Sequence, residues 1–134
     1  MDTININYQI ISMEEFLSSK NATVNHDLDL RKRKIPTLPE GLTVNGSLFL
    51  GNTDIPELPA DLKVNKDLML GNSRITKLPE NLTVGKDLYV KGSEVSLLPK
   101  GLNVGGDLDL KKSKRISRLP EGLREIQYIF SNKK

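Results

Sequence analysis

From Leu38 to Leu97 the chain reads LPEGLTVNGSLFLGNTDIPE, LPADLKVNKDLMLGNSRITK and LPENLTVGKDLYVKGSEVSL, three 20-residue phrases that keep their apolar positions and vary the polar ones. Val24, Val44, Val64, Val84 and Val104 recur at the same interval, so the pattern runs beyond this stretch in both directions. A last unit starts at Leu119, one residue late, because KKSKRIS carries an extra residue between Leu110 and Ile116.

Within each phrase the pairs Leu62/Val64 and Leu68/Leu70 have the two-residue spacing that sends both side chains to one face of a strand, and turns such as Asn65-Lys66-Asp67 reverse the direction between them. A unit of two or three short strands cannot enclose its own apolar face. It must stack on the next at about 4.8 Å, so that the repeated leucines form one continuous core. The expected fold is all-β or mainly β, a right-handed repeat solenoid of about five coils. Residues 1–21 are expected to cap it and residues 22–134 to form the solenoid with a C-terminal capping coil, as one domain. In the cap, ININYQII alternates like a strand, and Ser12 with Glu15 marks a short helix carrying Met13, Phe16 and Leu17.

The LPxxL units resemble the short leucine-rich-repeat proteins of bacteria and phages, over roughly Ala22 to Asn132. The resemblance implies a solenoid and leaves the activity open. Val44 and Leu48 are four apart where that family's strand uses three, and Thr53, Ser73 and Ser93 stand at its asparagine position. Only LREIQYIFS, with Ile126, Ile129 and Ser131, has the three-residue spacing. The cross-section is therefore either a leucine-rich-repeat arc or a more closed, three-sided parallel β-helix, and the strand content favours the second.

Composition narrows the chemistry. The 134 residues include no cysteine, which excludes disulfides, thiolate zinc sites and cysteine nucleophiles and fits a cytoplasmic setting. The N-terminus lacks a basic segment leading into an apolar one, and no window nears the run of about 18 apolar residues needed to span a membrane. A net charge of +3 is mild. No phosphate loop, paired-histidine helix or nucleophile elbow is present, and no cofactor or metal is expected.

His26 is the only histidine and lies beside Asp27 in a turn, which reads as plain surface. Asp27, Asp67, Asp87 and Asp107 form a column interrupted by Ser47. Carboxylates about 5 Å apart could serve a retaining glycosidase, but repetition at nearly every coil suits Asx-type turns better. Thr53, Ser73, Ser93 and Ser113 are expected to bond one another or the backbone across coils.

The outward positions between the inward pairs read Asp29, Phe49, Met69, Tyr89 and Asp109, followed by Phe130 in the shorter last coil. Large apolar side chains in the middle of a solvent-facing column, bordered by acids, are expected to form an exposed protein-binding patch. Basic residues cluster at both ends of the stack, in Arg31, Lys32, Arg33 and Lys34 and in Lys111, Lys112, Lys114 and Arg115. Four coil steps separate the clusters by about 19 Å, enough to bridge phosphates or an acidic protein groove. The resulting expectation is a non-enzymatic protein-interaction module. By analogy with the family it resembles, its partner would be a bacterial host protein, such as a defence complex, that it inhibits. A nucleic-acid-binding module and a carboxylate-based carbohydrate enzyme are the alternatives.

Overall fold

The computed structural model describes residues 3–110 and, as backbone, Tyr128–Ser131. Each phrase folds as one coil carrying two very short strands. The first strands are Thr23–Val24 (β3), Thr43–Val44 (β5), Lys63–Val64 (β7), Thr83–Val84 (β9) and Asn103–Val104 (β11). The second strands are Leu28–Asp29 (β4), Leu48–Phe49 (β6), Leu68–Met69 (β8), Leu88–Tyr89 (β10) and Asp107–Leu110 (β12), with Tyr128–Ser131 (β13) beyond them.

The first strands form a five-stranded sheet in the order β11-β9-β7-β5-β3, and the second a six-stranded sheet in the order β13-β12-β10-β8-β6-β4. All pairings in both are parallel, and each residue faces its equivalent one repeat away, as Val44 faces Val64 and Leu48 faces Leu68. A third ladder is reduced to single bridges, Glu57 to Lys77 to Leu97. Each coil thus takes part in three parallel ladders, the third of them mostly loop. Pro36 and Pro56 lie on that side, where a residue without an N–H fits a side with few ladder bonds.

The inward register holds throughout the described coils. Leu62, Val64, Leu68, Leu70 and Ile75 are all at most 1% exposed, and their equivalents in neighbouring coils join them in a single core cluster. Two columns of left-handed residues turn the corners. One runs Asn21, Gly41, Asp61, Asn81 and Gly101; the other runs Lys32, Asn52, Asn72 and Gly92. These are mostly residue types that tolerate positive φ, which explains why the variable words keep returning to asparagine and glycine. At Gly41, with φ of 69°, a β-carbon would also collide with the side chain of Asn21 one coil below.

The cap differs from expectation in one respect. ININYQII is not a single strand but a hairpin, Thr3–Ile6 (β1) antiparallel to Gln9–Ser12 (β2), because Asn7 and Tyr8 both take positive φ, 52° and 68°, in a two-residue turn. The helix follows as expected at Met13–Ser18 (α1), with the Ser12 hydroxyl accepting the Glu15 N–H at 3.0 Å. Its Met13 and Phe16 are buried in the core and Leu17 is partly buried against it. Among the described residues no helix is long and apolar enough to cross a membrane.

Candidate protein-binding face

Strand parity places one side chain per coil on the outer face of the six-stranded sheet. Leu48 and Leu50 are fully buried, so Phe49 between them points out, and the same holds for Met69 between Leu68 and Leu70 and Tyr89 between Leu88 and Val90. Parallel pairing then brings the column together: Asp29 faces Phe49, Phe49 faces Met69, Met69 faces Tyr89, and Tyr89 faces Asp109. On the backbone of β13, Phe130 stands opposite Asp109. All six residues expected in the patch therefore share one ladder.

The column is less open than expected. Phe49, Met69 and Tyr89 are each half-buried, because side chains one strand apart cover one another's flanks and because polar neighbours lean over the ends. The Arg31 guanidinium lies 5.3 Å from the centre of the Phe49 ring. It also pairs with Asp29, Nη2 to Oδ2 at 2.7 Å and Nε to Oδ1 at 2.9 Å, and this bonding holds the Asp29 carboxyl below the usual carboxylate range. With side chains 56% and 49% exposed, the pair contributes little to stability; its effect is to hold Arg31 over the ring. At the other end the Tyr89 hydroxyl donates to Asp87 Oδ2 at 2.9 Å. That bond, with burial and the charges of Asp87, Asp67 and Asp107 adding to it, pushes the hydroxyl up to about 12.

Both contacts follow from a spacing of two residues, Asp29 with Arg31 and Asp87 with Tyr89, which sets a polar side chain on the same outward face as the column. The strand pattern that identified the column could have identified its polar flanks as well.

The acid column has a structural role, but not as an Asx-type turn. Asp27 Oδ1 accepts the Ser47 N–H at 2.8 Å, Ser47 Oγ accepts the Asp67 N–H at 3.1 Å, Asp67 Oδ1 accepts the Asp87 N–H at 3.0 Å, and Asp87 Oδ1 accepts the Asp107 N–H at 2.8 Å. Each side chain holds the turn one coil ahead. Ser47 therefore does not interrupt the ladder, since its hydroxyl supplies the same acceptor. Among the described residues no group of three or more His, Asp or Glu could hold a metal ion.

Among the described residues, no bond of the hydroxyl column runs between coils. Thr53 Oγ1 donates to Leu50 O at 2.8 Å, three residues back, whereas the buried Ser73 Oγ has no hydrogen-bond partner among the described residues. His26, read as plain surface, instead joins the cap: its Nε2 accepts the Asn7 N–H at 3.0 Å. In the first basic cluster Arg31 is committed as above, and Arg33 Nη1 donates to Thr3 O at 3.2 Å, while Lys32 and Lys34 are exposed. Lys111, Lys112, Lys114 and Arg115, with Ser113, lie outside the described residues. No family model, curated protein or solved structure matches this chain.

Proposed function

We propose that the chain is a protein-binding module whose partner is read by the column Phe49, Met69 and Tyr89, with Asp29, Asp109 and Phe130 at its borders. The observation that carries this reading is the unbroken register of three large, half-exposed apolar side chains in the middle coils, with Asp29 and Asp109 next to them on either side. Arg31 over Phe49 and Asp87 on Tyr89 hold the two rings in place, so less conformational freedom is lost when a partner docks. Two aromatics and a methionine are residue types enriched in the centres of protein interfaces. The resemblance to bacterial and phage repeat proteins extends the proposal to a bacterial host protein, inhibited by the binding.

The nucleic-acid alternative draws on the basic clusters, and two of the four arginines and lysines at 31–34 already bond within the chain. The test is capture from bacterial lysate by the parent and by the Phe49→Ala/Tyr89→Ala double variant, each with and without nuclease. A stoichiometric protein captured by the parent after nuclease and lost with the double variant supports the proposal. Recovery that depends on nucleic acid and weakens steeply with salt contradicts it and favours the basic clusters.

A further inference from the structure

We propose that His26 is an acid-sensitive latch that holds the N-terminal hairpin on the edge of the five-stranded sheet. The edge strand β3 has backbone groups with no preceding coil to pair with, a state that leaves a sheet open to pairing with other chains. In later coils the equivalent of Asn25 donates its N–H to the coil below, as Asn45 does to Val24 O at 2.8 Å and Asn65 to Val44 O at 2.9 Å. At the first coil the side chain of Asn7 takes that place. Its Oδ1 accepts the Asn25 N–H and its Nδ2 donates to Thr23 O, both at 2.7 Å, so one amide side chain stands in for a peptide group of the missing coil.

Asn7 can do this only while the hairpin turn stays down, and the turn's own N–H is held by the imidazole. His26 Nε2 accepts the Asn7 N–H at 3.0 Å, and Nδ1 lies 2.7 Å from Asp27 O, a carbonyl that can only accept. The two contacts together require a neutral ring with its proton on Nδ1. Protonation adds a hydrogen at Nε2 and sets two N–H groups against each other. The Asn7 donor then loses its acceptor, and the contact becomes repulsive.

The surroundings make this the controlling group. From the hairpin, Tyr8 faces the ring with centroids 6.3 Å apart. From its own turn, Asp27 is the adjacent charged residue, and its Oδ1 is occupied by the Ser47 N–H. The overlying turn Asn45-Gly46-Ser47 brings no ionisable group, and Gly46 is packed so closely on the His26-Asp27 peptide that a β-carbon there would collide with Asp27 and with the His26 carbonyl carbon. The bond from Asn7 requires a neutral ring, so the closed cap is present while the imidazole is neutral and is lost when acid protonates it.

Amide hydrogen exchange read by NMR on the intact chain tests this. Between about pH 7.5 and 5, protection of the Asn7 and Asn25 amides, corrected for the intrinsic pH dependence of exchange, should fall about tenfold, the scale of one hydrogen bond. Asn65 and Gly85, in the middle of the stack, should keep theirs. Because His26 is the only histidine, its ring signals report its titration directly, and the loss of protection should follow that curve. In His26→Gln, whose amide oxygen can accept the same N–H without titrating, protection should persist at both pH values. Unchanged protection in the parent overturns the latch, as does a loss that follows carboxylate titration below about pH 4.5 instead.

Discussion

At the scale of single residues, the polar side chains divide into those that hold the coils together and those that only tolerate burial. Thr53 and Ser73 occupy equivalent positions, yet Thr53 Oγ1 returns to Leu50 O while Ser73 Oγ is buried without a partner among the described residues. A buried hydroxyl left unbonded costs free energy that an apolar replacement avoids. Ser73→Ala should therefore raise stability by about 1 kcal/mol in urea unfolding, and Thr53→Val should lower it by a similar amount. Tyr89 has a different dependence. Its hydroxyl is pushed up to about 12 in the folded chain, above the ordinary value near 10, because the protonated hydroxyl donates a hydrogen bond to the Asp87 carboxylate. A raised pKa stabilises the fold fully below the unfolded value, and that contribution disappears as pH rises through the folded one. Unfolding measured from about pH 9 to 12 should show this loss in the parent and much less of it in Asp87→Asn or Tyr89→Phe.

At the scale of elements, what could be read from the sequence depended on which interactions leave a periodic trace. The inward residues did, because a core position admits few substitutes; Val44, Leu48 and Leu50 are all fully buried where parity puts them. The column Phe49, Met69 and Tyr89 was legible for the same reason, but its half-burial was not, since that depends on how Arg31 and Asp87 fold over it. The hairpin was hidden because its turn uses Asn7 and Tyr8 in place of the usual glycine, so the alternation ran on unbroken across it. The acid ladder was visible as a column, but its bonds cross from coil to coil, a direction that spacing within one unit cannot reveal. Gly41 combines positive φ with the side chain of Asn21 beneath it, so Gly41→Ala should cost about 1 to 3 kcal/mol from backbone strain alone, whereas Gly71→Ala, where a β-carbon meets only ordinary contact, should cost less than about 1 kcal/mol. Thermal or urea unfolding of the two variants makes the comparison.

At the scale of the whole molecule, repetition serves two purposes. It builds the core from units too small to enclose one, and it lines up whatever faces outward, so that three changes at one position per coil make a continuous surface. Core and surface alternate residue by residue along the same strands. With that alternation, the outward column can be changed by mutation without touching the core. The decisive measurement is unfolding free energy and partner affinity on one protein, the Phe49→Ala/Tyr89→Ala double variant, with the partner isolated by nuclease-resistant capture. Folding should be retained, with a loss no greater than about 1 to 2 kcal/mol for two half-buried rings, while affinity falls thirtyfold or more, about 2 kcal/mol, as expected for anchors at an interface centre. A double variant that binds as tightly as the parent would show that the partner reads another face, and one that fails to fold would show that the column belongs to the structure and not to a binding surface.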